Sequence, residues 1–252
     1  MKHISTENVK SAFTLVEILI TIAIIGVVAA MTIPNLITNQ RNKEFEVKLK
    51  KTYSELNQIS KLFLEENEEP IPVVINRKGS SYMKTIFLSY MKGITKVDAT
   101  VWNTEKDDEG NYVTGTYTQY YNLRGGSHYQ VCDISGWFTT IDGRRYAYND
   151  APKKGENGPI ICVDLNGSTK PNVAGLDYFL FIPTMDGTVI PMGQEDDNNT
   201  TSTKLDQNCF YSGSSYCNKS LGYTCAYYAV NDKSPAGNGT YWKGFIAEKQ
   251  YL

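Results

Sequence analysis

The residue types that carry acid–base and nucleophilic chemistry are thinly spread along this chain. It has two histidines, His3 and His128, and no G-x-S-x-G elbow, H-E-x-x-H pair or glycine-rich phosphate loop. A catalytic base needs a nucleophile and an orienting group beside it. The segment "GGSHYQV" offers His128 neither, so it reads as a loop or strand residue. Two carboxylates brought together from distant positions could still hydrolyse a substrate, and an anchored carboxylate hydrolase is carried as an alternative. The expectation is a protein that is not an enzyme and uses no cofactor.

Oxygen ligands for a hard cation are suggested by "VDLNGSTKPNVAGLDYF", where Asp164, Asn166 and Asp177 are the calcium candidates. Calcium takes about six to eight oxygens, and the spacing here is not that of an EF-hand loop. An Asx-type turn at Asp164 and Asn166, with Gly167 relieving φ, accounts for the same residues and is the expected arrangement. The acidic runs at 105–111 and 194–201 are expected to be solvated turns, and no metal is assigned. The five cysteines, Cys132, Cys162, Cys209, Cys217 and Cys225, form no C-x-x-C metal or redox pair. Their confinement to the second half of the chain suits disulfides in an oxidising compartment. Cys217 with Cys225, and Cys132 with Cys162, are the expected pairs, which leaves Cys209 over; spacing alone does not fix the connectivity.

The hardest residue to place is Glu17. From Phe13 to Ile33 the chain has no Lys, Arg or Asp, yet it carries this one carboxylate. About 20 apolar residues suffice for a helix to cross a bilayer, and a central carboxylate there costs roughly 2.5–3.5 kcal/mol. A cleaved secretory signal has a shorter apolar core, and a plain signal anchor leaves Glu17 unexplained. The preceding residues, "MKHISTENVKSA", are polar and stop abruptly at Phe13.

Together, Ala12 and the run Phe13-Thr14-Leu15-Val16-Glu17 resemble the start of the type IV pilin and type II secretion pseudopilin family. Its precursors have a short basic leader, a small residue and then Phe-Thr-Leu-x-Glu. Gly26 and Pro34 fall where that family has its helix glycine and proline, whereas Ala12 stands where it usually has Gly. The resemblance covers the leader and the amino-terminal helix alone. It implies cleavage between Ala12 and Phe13 by a prepilin peptidase, N-methylation of Phe13, and polymerisation with sister subunits through assembly platform proteins. Within a filament it implies that Glu17 meets the Phe13 amine of a neighbour, while Gly26 and Pro34 let the helix bend or partly melt during assembly. Lys2 and Lys10 lie before the apolar run, and Arg41, Lys43, Lys48, Lys50 and Lys51 lie after it. The positive-inside count thus leans against a cytoplasmic leader, and the motif is preferred over the count. The implied location is the inner membrane, with the head outside and filaments in the periplasm or beyond. Some major pseudopilins hold calcium in a head loop, but no motif here maps onto that site.

The elements that must position these residues can be read from periodicity. Residues 1–12 form the leader, 13–37 the membrane and filament-core helix, 38–69 its amphipathic continuation and 70–252 the head. Phe45, Leu49, Tyr53, Leu56, Ile59 or Ser60, and Phe63 recur at spacings of three and four, so one face of the continuation needs a core. The run "EENEEPIP" ends it. Pro34 is expected to kink or loosen the helix, with Gly26 a second weak place. Met83, Ile86, Phe87, Tyr90 and Met91 mark a second short helix, and strand-like runs follow from "NYVTGTYTQYY" to "TVIPMG". The Asp-Gly turns in "IDGRR" and "MDGTV" signal hairpins.

The predicted fold is α+β: a long amino-terminal helix packed on an antiparallel sheet, with a loop-rich, disulfide-stapled carboxy-terminal region. A net charge of −2 provides no basic field, so no nucleic-acid partner is expected. The expected role is that of a pilin-like structural subunit of a pilus or secretion pseudopilus. The alternative from another class is a non-polymerising, signal-anchored surface binding protein whose head, in a chain with 18 tyrosines, serves as the recognition module.

Overall fold

A computed structural model describes residues 14–97, 119–128, 132, 136–149, 157–194, 222 and 224–246. The chain divides into two compact units, Met1–Arg41 and Asn42–Leu252. In the first, the described residues belong almost wholly to helix α1, Leu15–Asn67, which continues into the second. The helix passes Gly26 and Pro34 without a break. Pro34, which has no N–H, takes away the donor that the Ala30 carbonyl would otherwise have had.

In the second unit α1 buries Phe45, Leu49, Leu56, Ile59 and Phe63, with Thr52 and Ser60 between them. This is the face that the spacing predicts, and each large apolar side chain buried there stabilises by about 1.5–3 kcal/mol. Tyr53 stays half-buried and stacks on Phe181 at 6.0 Å. Helix α2, Ile71–Lys78, follows immediately, and α3, Tyr82–Tyr90, buries Met83, Ile86 and Phe87. Sequence reading treats Pro70 and Pro72 only as the end of α1. They also begin α2, because a proline in the first turn gives up a donor that has no intrahelical partner there.

The sheet is antiparallel throughout, in the order β1 (Ile94–Val97), β4 (Phe138–Thr140), β5 (Arg145–Tyr148), β6 (Ile161–Asp164), β7 (Tyr178–Pro183) and β8 (Val189–Pro191). Two further strands, β2 (Tyr120–Tyr121) and β3 (Ser127–His128), pair with each other. β6 and β7 are buried along their whole length and form the middle of the core. The Cys132–Cys162 disulfide ties β6 to a residue 30 positions earlier. In the carboxy-terminal region, read from sequence as loops, a short helix covers Cys225–Val230 and a π-helical turn covers Tyr241–Phe245.

Candidate functional site

At the start of α1 the carboxylate of Glu17 is bound within its own chain. The Thr14 backbone N–H and hydroxyl both donate to Glu17 Oε2 at 2.8 Å, and the Glu17 N–H points back to Thr14 Oγ1 at 3.2 Å. This Thr-x-x-Glu arrangement is a capping box, in which two backbone donors that the helix leaves unpaired are satisfied reciprocally. The pattern is present in the sequence, but a reading centred on membrane cost passes over Thr14. The other polar side chains of the apolar stretch also turn onto their own backbone. Thr21 donates to the Glu17 carbonyl at 2.6 Å and Thr32 to the Val28 carbonyl at 2.9 Å, which suits a segment without water around it.

Every large apolar side chain of this stretch is exposed, from Leu15 at 76% to Ile37 at 62%. Gly26 has nothing within 4 Å of where a Cβ would be. The helix is long and apolar enough to cross a membrane. Ala12 and Phe13, where cleavage is expected, lie outside the described residues.

Within the head unit, α1 is held by two hairpin turns of the same type, Thr140-Ile-Asp-Gly-Arg144 and Thr184-Met-Asp-Gly-Thr188. In each the threonine N–H donates to the carbonyl four residues on, and the glycine, Gly143 or Gly187, takes a positive φ. The first turn presents Arg144, which is buried. Its Nη1 donates to Thr52 Oγ1 at 2.8 Å and to Glu55 Oε2 at 2.7 Å, and its Nε reaches Asp142 at 3.0 Å. Lys51 adds a 3.0 Å contact to Asp142. Partial burial works against ionisation of Asp142, but the hydrogen bonds from Arg144, Thr140 and Lys51 prevail and hold its carboxyl well below the usual range.

The second turn packs Gly187 against Leu64, and a Cβ there would lie 2.4 Å from Leu64 Cδ2. Beside it Asn57 closes the outer edge of β8. The Val189 N–H donates to Asn57 Oδ1 at 3.0 Å and Asn57 Nδ2 to the Val189 carbonyl at 3.2 Å.

Asp164, Asn166 and Asp177 do come together, but as a loop clamp. The Asn166 N–H donates to Asp164 Oδ1 at 3.1 Å, the Asx turn expected, with Gly167 at φ +70°. Tyr120 donates its hydroxyl to Asp164 Oδ2 at 2.6 Å. Asp177 accepts from the N–H groups of Asn172 and Val173 at 2.8 and 2.5 Å. Burial first, and then the neighbouring Asp177, push the Asp164 carboxyl well above its usual range. The carboxylate oxygens face protein donors, which is the chemistry of a structural turn rather than of a calcium shell. Among the described residues no group of three or more His, Cys, Asp and Glu could hold a metal ion. His128 pairs with Tyr120 in the β2–β3 ladder, and its side chain lies outside the described residues. Cys225 is disulfide-bonded, whereas Cys209 and Cys217 lie outside the described residues.

Residues 8–33 match the family model described as the prokaryotic N-terminal methylation motif. This is the prepilin-type motif of type IV pilins and pseudopilins, and it contains the Ala12–Phe13 junction, Thr14, Glu17 and Gly26. A prepilin motif on a long, exposed apolar helix fits a membrane-anchored protein. No curated protein and no solved structure matches the chain.

Proposed function

We propose that this chain is a pilin-like structural subunit, stored in the inner membrane and polymerised into a type IV pilus or type II secretion pseudopilus. A prepilin peptidase removes residues 1–12, Phe13 becomes the N-methylated terminus, and assembly platform proteins feed the subunit into a filament. The head is extracytoplasmic and the protein acts by assembly rather than catalysis. The observation that carries the reading is the union, in residues 8–33, of the methylation motif with a helix whose apolar side chains are exposed and whose carboxylate is Glu17.

Thr14 satisfies Glu17 within the single chain, which lowers the cost of keeping the carboxylate in the stored subunit. Among packed apolar helices a charge without a counter-charge is far more expensive. The Phe13 amine of a neighbouring subunit supplies that counter-charge and fixes the axial register; Gly26 and Pro34 give the helix room to adjust as it packs.

The test has two arms. Mass spectrometry of membrane-extracted protein, from a host with active peptidase, should find a terminus at methylated Phe13; an intact leader would favour the anchored, non-polymerising binding protein instead. Glu17→Gln should reach the membrane and fold normally but be depleted from sheared filaments relative to wild type. Equal incorporation of the two would remove the register role from Glu17.

A further inference from the structure

An asparagine followed by glycine is prone to lose its side-chain nitrogen, because glycine has no side chain to hinder attack of its own backbone nitrogen on the preceding amide carbon. The chain contains this dipeptide three times, at Asn157-Gly158, Asn166-Gly167 and Asn238-Gly239. Reaction requires an amide that can turn toward the next residue, a glycine N–H that is not engaged, and access to water. The fold treats the three sites differently.

Asn157 is buried, and its Oδ1 accepts from the Met185 N–H at 2.9 Å. The Gly158 N–H, which would have to attack, donates to the Pro183 carbonyl at 2.8 Å. Asn166 is fixed through Nδ2, which donates to the carbonyls of Thr169 and Lys170 at 2.8 and 3.2 Å. Gly167 is buried, and a Cβ there would lie 3.0 Å from the Gly143 carbonyl oxygen. Neither amide can turn without breaking these contacts.

Asn238 has no such restraint. With Gly239 and Thr240 it is exposed, in the loop that joins the short helix Cys225–Val230 to the π-helical turn Tyr241–Phe245. The base of that loop is pinned. Asp232 Oδ1 accepts from the N–H groups of Tyr241 and Trp242 at 3.0 and 3.1 Å, and the Ser234 N–H donates to the Gly239 carbonyl at 3.0 Å. Among the described residues nothing hydrogen-bonds the Asn238 side chain or the Gly239 N–H. Beyond its chain neighbours, no atom lies within 4 Å of where a Cβ on Gly239 would sit.

We propose that Asn238 is a site of water-driven deamidation in the folded protein, and that the fold protects Asn157 and Asn166 from the same reaction. The Gly239 backbone nitrogen gives up its proton to hydroxide and bonds to the Asn238 side-chain carbon. The amide nitrogen takes a proton and leaves as ammonia, which closes a succinimide ring. Water then adds to a carbonyl carbon of the ring, and the bond from that carbon to nitrogen breaks. Attack at the side-chain carbon leaves aspartate, and attack at the backbone carbon leaves isoaspartate. The net change is water consumed and ammonia released, with no oxidant or reductant. Either product puts a carboxylate on the loop, and isoaspartate also adds a backbone carbon between Asp232 and the N–H groups that it holds.

Detergent-extracted, full-length protein held at mildly alkaline pH in heavy-oxygen water, then digested in ordinary water and peptide-mapped by mass spectrometry, tests this. Oxygen label should enter the Asn238 peptide within about threefold of its rate in the guanidinium-unfolded chain, whereas at Asn157 and Asn166 folding should slow uptake by more than about tenfold. Asn238→Gln, an exposed substitution that leaves the contacts of Asp232 and Ser234 in place, should lose the label from that peptide. An Asn238 peptide that takes up label when unfolded but not when folded would overturn the proposal. Uptake at Asn157 or Asn166 in the folded chain as fast as at Asn238 would overturn it too.

Discussion

Arg144 Nη1 donates to Glu55 Oε2 at 2.7 Å and so joins a hairpin turn of the sheet to the middle of helix α1 across 89 residues of sequence. The guanidinium is only 4% accessible and has Thr52 and Asp142 as further partners. A buried charge with a full set of partners is tolerated, whereas removing one member strands the others. A fragment spanning 39–252, made in an oxidising compartment, retains all of these groups and should fold as a soluble monomer. In that fragment Arg144→Met should cost about 3–5 kcal/mol by urea denaturation. Arg144→Lys should recover part of this, because an ammonium keeps the charge but cannot fork between Glu55 and Asp142. A cost for Arg144→Met within about 0.5 kcal/mol of zero, the range of ordinary surface substitutions, would show that the turn does not depend on this charge.

The same cluster sets an acid limit. The Asp142 carboxyl is held below its unfolded value of about 4, so folding favours its ionised form. Its contribution is present above that value and is lost as pH falls through and below it. Asp164 is shifted the opposite way, so its contribution grows on acidification. The stability difference between wild type and Asp142→Asn should therefore shrink as pH drops from about 5 to about 3. A difference independent of pH across that window would exclude the assigned cause.

The Cys132–Cys162 bridge closes a loop with a sequence separation of 30 and buries both sulfurs. The loop-entropy relation puts its worth at about 3–4 kcal/mol, so Cys132→Ser/Cys162→Ser should lose that much stability. The pairing proposed for Cys217 with Cys225 is a separate matter. Non-reducing peptide mapping should recover it, and a Cys209–Cys225 peptide would replace it.

Asn57 makes two backbone contacts to one residue of β8, where a helix side chain stands in for a missing strand. Asn57→Leu should cost about 1–3 kcal/mol by leaving the Val189 N–H and carbonyl without partners. Asn57→Asp keeps the acceptor for Val189 N–H and should lie between the two. Hydrogen exchange at the Val189 amide reports the contact directly: it should speed up in the leucine variant and stay slow in the aspartate one.

Much of the architecture is legible before any coordinates. The spacing of Phe45, Leu49, Leu56 and Phe63 gives the buried face of α1, and "IDGRR" and "MDGTV" give both hairpins, because period and turn chemistry are local properties. What is not legible comes from partners distant in sequence. Arg144 looks like an ordinary charged turn residue until Thr52 and Glu55 are folded beneath it, and Asn57 looks like a polar interruption until β8 runs alongside. Helix α2 is missed for a different reason, since Pro70 and Pro72 stop one helix and start another and a reading that seeks breaks registers only the first effect. At the amino terminus both the motif and the capping partner are in the sequence. There the cost of Glu17 in lipid draws attention away from Thr14, three residues before it.

The Asn57 contact to Val189 also bears on crowding. A sheet whose outer strand is open can recruit the strand of another molecule, and that hazard rises steeply when many copies are held at high density. Here the closing group belongs to the same helix that carries the apolar segment, so no chain bearing its anchor through to the head lacks the side chain that blocks β8. Proteolytic clipping beyond Asn57 would release a head with that strand uncovered, prone to edge-to-edge aggregation. The apolar segment and the side chain that guards the sheet edge thus travel on one helix.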